Sequence, residues 1–239
     1  MKKIALLLVV VLTCVSGFAQ KKKDWSKMDL DRAGDHIMLH LSSDRWSGVP
    51  DSISSHMKGL SRGLAISVMM NKPFKTDPRW SIAFGVGVSN SSMFFKTMSI
   101  DLKGTGNILR FNSLDATERF KKYKLATTFV EVPLELRYTF HPEKEKKSWK
   151  IAVGAKVGTM LNAHTKGKNL QNVSGNTINS YTEKISKRVF FNSTRIVGTF
   201  RVGIGNFSLF GNYTLTSFLK DGAGAAIRPY QIGLCLSGL

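Results

Sequence analysis

Leu125–Phe140 reads LATTFVEVPLELRYTF, and its side chains change character at almost every step. Val130, Val132, Leu134, Leu136, Tyr138 and Phe140 are apolar or aromatic, while Thr127, Phe129, Glu131, Pro133, Glu135, Arg137 and Thr139 make up the other set. Successive residues of a strand point to opposite faces, so a period of two rich in β-branched and aromatic residues predicts a strand. Wound as a helix, the same stretch would scatter Glu131, Glu135 and Arg137 among the valines and leucines. Strands of soluble domains usually run about 5–6 residues, and a tilted strand crosses a bilayer in roughly 9–11. This stretch is long enough to cross, with one greasy face and one charged face. A membrane barrel asks for that division, with hydrocarbon outside and a polar interior. One long strand of a soluble sandwich or lipocalin-like barrel would carry the same pattern, so the rest of the chain has to decide.

The N-terminus speaks first. Lys2 and Lys3 form a basic start, Ile4–Val15 an apolar run, and Gly17-Phe18-Ala19 a small-x-small site before Gln20. These are the parts of a secretory signal peptide, expected to be cleaved after Ala19. Cys14 follows Thr13, a poor match to a lipidation site. Cleavage takes Lys2 and Lys3 from a formal charge of +19 and leaves Cys235 as the one cysteine, so no internal disulfide is expected. Past residue 19 no stretch approaches the ~18 apolar residues of a membrane helix. An exported chain without such a helix can still be integral if its strands close and leave no unpaired edge. The excess of lysine suits nucleic acid in principle, but export and the spread of the charge over turns and loops argue against that partner.

The same alternation recurs in eight segments. Ile37, Leu39 and Leu41 alternate with His36, Met38, His40 and Ser42; Leu64, Ile66, Val68 and Met70 with Gly63, Ala65, Ser67 and Met69. Trp80, Ile82, Phe84, Val86 and Val88 oppose Ser81, Ala83, Gly85 and Gly87, and the quoted stretch is the fourth segment. Trp149, Ile151, Val153, Val157 and Leu161 then oppose Lys150, Ala152, Gly154, Lys156 and Gly158. Ile196, Phe200, Val202 and Ile204 oppose Arg195, Thr199 and Arg201; Phe207, Leu209 and Tyr213 oppose Ser208 and Asn212; Tyr230, Ile232, Leu234 and Leu236 oppose Gln231, Gly233, Cys235 and Ser237. The non-apolar face is mostly small with isolated charges, the reverse of a sandwich core. Connections alternate too. Asn71–Pro78, His141–Lys147 and Gly205-Asn206 are short, whereas Asp44–Gly59, Lys96–Lys124 and Thr165–Lys187 are long, with Lys220–Ala226 between. Short periplasmic turns and longer outer loops mark outer-membrane barrels. Trp80, Tyr138, Phe140, Trp149 and Phe207 fall beside the short turns, where they would form an aromatic girdle at one interface. The expected fold is an all-β, eight-stranded antiparallel up-and-down transmembrane β-barrel. Residues 1–19 are the leader, 20–32 a periplasmic segment and 33–239 the barrel domain.

The run Phe129-Val130-Glu131-Val132-Pro133-Leu134-Glu135-Leu136-Arg137-Tyr138, of the form aromatic-x-E-x-P-L-x-x-[K/R]-Y, resembles the small outer-membrane β-barrel proteins of Bacteroidota often labelled PorT-like. They are similar to eight-stranded barrels of the OmpA and OmpX type. The glycine-spaced Trp149–Gly158 arm and a leader ending Phe-Ala-Gln fit the same group. The resemblance implies the cell outer membrane as location, handling by the barrel-insertion machinery, and no catalytic residues. It allows a place in a secretion or gliding apparatus with envelope protein partners. The chain departs from such barrels at its end, Leu236-Ser237-Gly238-Leu239, where an aromatic residue is usual.

Eight strands enclose an interior that their own side chains fill, which sets a porin aside. Glu131, Glu135, Arg137, Lys150, Lys156, Arg195 and Arg201 would all face inward. Buried charges need partners, so a salt-bridge network is expected to plug the lumen, with Lys150 and Lys156 beside Glu131 and Glu135. Pro133 inside a strand suggests a bulge. His36 and His40 share a face, but about 13 Å apart at ~3.3 Å per residue, too far for one ion; no metal or cofactor is expected. Gly222-Ala223-Gly224 lacks the strand-to-helix setting of a phosphate cradle. The outer loops carry Lys96, Lys103, Arg110, Arg119, Lys121, Lys122 and Lys124 against Asp101, Asp115 and Glu118, then Lys166, Lys168, Lys184 and Lys187 against Glu183. Such cations would face the phosphates of lipopolysaccharide. The expected role is structural or surface interaction. The competing reading, a lipid A-modifying enzyme, would need His56 with Asp44 or Asp51, or His164 with Ser174, to converge at the outer rim.

Overall fold

The computed structural model describes residues 37–238. The predicted leader, the 20–32 segment and His36 lie outside them. In chain order the elements are β1 (Ile37–Ser47), the one-turn helix α1 (Asp51–Ser54), β2 (Ser61–Pro73), β3 (Trp80–Phe95), β4 (Met98–Asp101), β5 (Arg110–Ser113), β6 (Arg119–Thr139), a 3-10 turn (Pro142–Lys147), β7 (Trp149–Gln171), β8 (Thr177–Ser186), β9 (Thr194–Ile204), β10 (Phe207–Thr214) and β11 (Arg228–Ser237). Eight of the strands close antiparallel in the order β1-β2-β3-β6-β7-β9-β10-β11, with β11 paired back to β1. Closure leaves the wall without an unpaired edge, the condition for crossing a bilayer with strands.

The alternation read along β6 is the orientation of its side chains. Val132, Leu134 and Leu136 are 55%, 56% and 44% exposed, while Glu131, Glu135 and Arg137 are each 5% exposed. The other strands follow suit, with Ile66, Val68, Val86, Val88, Val153, Phe200, Leu209 and Leu234 on the outer surface. At the end of the barrel with the short turns, the Trp80 ring lies 4.9 Å from Tyr138 and Tyr138 lies 5.1 Å from Phe140. Trp149 and Phe207 stand exposed on the same rim, both paired with Ile204.

The wall is taller than the alternation predicts. β6 starts at Arg119 and β7 runs to Gln171, where β8 pairs with it. Arg119, Lys121, Lys122, Lys166 and Lys168 therefore sit on strands and not in loops. The inward set continues above the apolar band as Tyr123, Leu125, Ala163 and Thr165, all buried, while lysines replace aliphatics on the outward face. Lys96 directly follows β3, Lys103 lies between β4 and β5, and Arg110 opens β5.

Pro133 is not the bulge. It pairs with Lys156 in an unbroken register between Glu131↔Gly158 and Glu135↔Gly154. Having no N–H to give, it costs ladder pairing only toward β3, which skips from Phe84↔Leu134 to Gly87↔Glu131 without a shift. The bulge lies higher, where Thr128 pairs with Asn162 and Phe129 with Met160, leaving Leu161 as an extra residue of β7.

Candidate functional site

The middle of the lumen is a set of buried ion pairs held by β6 and β9. Glu135 Oε2 accepts from Arg137 Nε at 2.9 Å and from Arg201 Nη2 at 3.1 Å. Arg201 Nη1 reaches Ser208 Oγ at 3.3 Å, and Arg137 Nη2 reaches the Met38 thioether at 3.4 Å. One layer higher, Arg195 donates through Nη2 and Nε to Glu131 Oε1 at 2.5 and 3.1 Å and to Ser89 Oγ at 2.8 Å. Its guanidinium lies 3.7 Å from the centre of the Phe129 ring. The carboxylates thus pair with arginines, and the lysines expected beside them do otherwise. Lys150 bonds Glu145 of the 3-10 turn at 3.0 Å. Lys156 is buried on the row between Glu131 and Glu135 and takes part in none of these pairs. The planar guanidinium can serve a carboxylate and a hydroxyl at once while desolvated, which an ammonium does less well.

Asp44 belongs to the same interior, although its place at the end of the first segment suggested a loop. It accepts from Ser42 at 2.5 Å, from Gln231 at 3.0 Å and from Ser91. The signal was present: Met38, His40, Ser42, Asp44 and Trp46 keep one parity along β1. His40 meets the edge of Phe210 at 4.9 Å and Cys235 Sγ at 3.8 Å. Among the described residues no group of three metal-binding side chains comes together.

Above the charges, the outer mouth is covered by an apolar core. Trp46 lies 5.7 Å from Phe95 and 5.4 Å from Phe218, whose ring is 4.9 Å from Phe191. Ile53 of α1, Met98, Ile100 and Leu102 of the β4–β5 hairpin region, Leu109, Phe190, Leu219 and Ile227 complete it. The Tyr123 hydroxyl fastens the hairpin to the wall, donating to Ile100 O at 3.1 Å and accepting from Ile100 N at 3.0 Å. Asn192 Nδ2 ties two further connections by donating to Ser217 O and Leu219 O at 2.8 and 2.9 Å. Beneath this cap, a gap lined by Asp44, Ser91, Thr127, Arg195 and Gln231 has room for about one water.

The two histidines of the enzyme reading do not meet the partners it gave them. His56 meets neither Asp44 nor Asp51; its Nε2 lies 3.0 Å from Asp115 Oδ2, joining the β1–β2 connection to that after β5. Ser55 Oγ is 3.1 Å from His56 Nδ1, which resembles a nucleophile and base, but Nδ1 also donates to Ser52 O at 3.0 Å. With a carbonyl facing Nδ1 and a carboxylate facing Nε2, both ring nitrogens meet acceptors, which favours the protonated ring. His164 bonds Asn162 at 3.2 Å near the base of the β7–β8 hairpin, and Ser174 is in the turn at its tip. The bond to Asp115 holds the His56 pKa above 6.5, its ordinary value. That contact stabilises fully below the unfolded value and is lost as pH rises through the raised one. In an NMR titration of the protein in micelles, the His56 ring is expected to titrate above an ordinary histidine and to return toward it in Asp115→Asn.

Residues 18–219 match the family model described as the outer membrane protein beta-barrel domain. The chain belongs to that family. It is an integral protein of the outer membrane. Among proteins of curated function, none matches it significantly in sequence. Among solved structures it is similar to Ail, the attachment invasion locus protein of Yersinia pestis, at 13% identity, TM-score 0.31, covering 84% of this chain and 95% of that one. A second Ail structure, in complex with the heparin analogue sucrose octasulfate, gives 12% identity, TM-score 0.30, and coverage of 84% and 96%.

Proposed function

We infer that the protein is a non-conducting, non-catalytic outer-membrane barrel whose cell-surface end is an interaction surface toward lipopolysaccharide and other envelope components. The observation that carries this reading is the double closure of its axis. Glu131–Arg195 and Glu135–Arg201 bridge β6 and β9 across the intervening strand, and an apolar core covers the mouth above them. An eight-stranded lumen is just wide enough for its own side chains, and these pairs standing across it support a closed interior. The barrel-insertion machinery would act on it during assembly, and the capped end, carrying the long connections, would face outward. The exposed Lys96, Lys103, Arg110, Lys121, Lys122, Lys166 and Lys168 make that end cationic, with Arg119 half-buried among them. Phosphates of the outer leaflet are the anions within reach. Reconstituted into planar bilayers, the protein is expected to leave conductance at baseline; stable porin-like steps would end this reading.

A further inference from the structure

The bulge at Leu161 decides which way the upper part of β7 faces. Below it, Val153 and Val157 point to lipid; above it, the added residue reverses the parity, so Ala163, Thr165 and Gly167 turn inward and Lys166 and Lys168 outward. On that outward face Lys124 of β6 stands directly across from Lys166, and Lys166 directly across from Lys184 of β8. The next row up pairs Lys122 with Lys168. Side chains directly opposite on antiparallel strands sit about 4.5–5.5 Å apart at Cβ, and like charges there repel. No carboxylate shares these rows. Glu183, beside Lys184, turns to the other face opposite Gly167 and bonds Lys103 at 3.1 Å. Among the described residues none of the five lysines has an ion-pair partner. Lys124 donates to Ser92 Oγ at 3.1 Å and lies 5.7 Å from the centre of the Phe94 ring.

We propose that Lys122, Lys124, Lys166, Lys168 and Lys184 form a binding site for the phosphates of lipid A in the outer leaflet. The proposal rests on the orientation inferred above and makes one patch, rather than the rim at large, the place of contact. The position is the argument. The same faces of β6 and β7 carry Val130, Val132, Val157 and Leu161 just below, all exposed to hydrocarbon. The ammonium groups therefore stand at headgroup level on the lipid side of the wall, where a free soluble anion is not the nearest negative charge. An apolar strip for acyl chains continues straight down from a cluster of cations for the phosphates. A row of three adjacent lysines is self-repelling until an anion with more than one charge lies over it.

The full-length protein, folded in neutral detergent, is offered lipid A with both phosphates and the same lipid enzymatically dephosphorylated, and bound lipid is read by native mass spectrometry. The phosphorylated lipid is expected to bind tighter by on the order of tenfold. Lys124→Gln/Lys166→Gln/Lys184→Gln is expected to lose that preference. Lys96→Gln/Arg110→Gln/Lys121→Gln, with the same loss of charge, is expected to keep it. Heat-modifiable gel migration verifies folding of each variant. Should the first triple not fold, Lys166→Gln alone, which meets a lysine on either side, is expected to lose roughly threefold. Equal losses in both triples would overturn the site and leave only diffuse attraction by the cationic end. A wild-type protein indifferent to the phosphates would overturn the lipopolysaccharide reading as well.

Discussion

Glu135→Ala is expected to lower the unfolding free energy by about 3–5 kcal/mol. The carboxylate is shared by Arg137 and Arg201, whose side chains are almost fully buried with it. Deleting it keeps two guanidinium charges in the lumen and removes the anion that both of them hold. Breaking a buried pair on one side costs more than the pair itself contributes, because the surviving charge remains desolvated. The exposed Lys103–Glu183 pair sets the contrast, since its loss should cost no more than about 1 kcal/mol. Replacing all three members together, as Glu135→Leu with Arg137→Met and Arg201→Met, should recover most of the loss. Urea titration of the refolded protein in vesicles, followed by tryptophan fluorescence, measures all of these. A Glu135→Ala protein within about 0.5 kcal/mol of wild type would mean that water reaches the centre and screens the arginines.

What the sequence made legible was the wall, and it did so through hydrocarbon. Wherever a strand faces lipid, the outward residue must be apolar, and period two stands out at Val130–Tyr138 or Trp80–Val88. Above the apolar band that constraint ends. Lys122, Lys124, Lys166 and Lys168 occupy the outward positions there, so the strands continue while the pattern reads as a charged loop. The cap was hidden for a related reason. Met93 and Phe95 end β3, Met98 and Ile100 lie on the short β4 with Leu102 just after it, and Leu109 precedes β5; these pieces are too short and too scattered for their patterns to show what gathers them around Phe191 and Phe218. The lumen was legible as a set of charges and less so as a set of pairs. Adjacent strands suggested Glu131 and Glu135 with Lys150 and Lys156, but long arginines on β9 reach past β7 to take both carboxylates.

Phe191→Ala is expected to cost about 3–5 kcal/mol as well, but in a different place. Phe191 is fully buried, bridges to Leu219 through its backbone and packs on the Phe218 ring. Its truncation opens a hole at the centre of the cap, where the surrounding connections are held chiefly by this apolar core. The barrel below is held by its own ladders and ion pairs, and the two regions meet at Phe129, under the Arg195 guanidinium. Units with separate contacts open separately. Proteinase added outside vesicles is therefore expected to cut the variant within 48–60, 96–118 and 172–193 while sparing the wild-type connections. Heat-modifiable migration of the barrel should persist in both. Loss of that migration together with the cap would show that the two fold as one cooperative unit. Conductance of the Phe191→Ala protein is expected to stay at baseline, because Glu131–Arg195 and Glu135–Arg201 still close the lumen beneath the opened mouth.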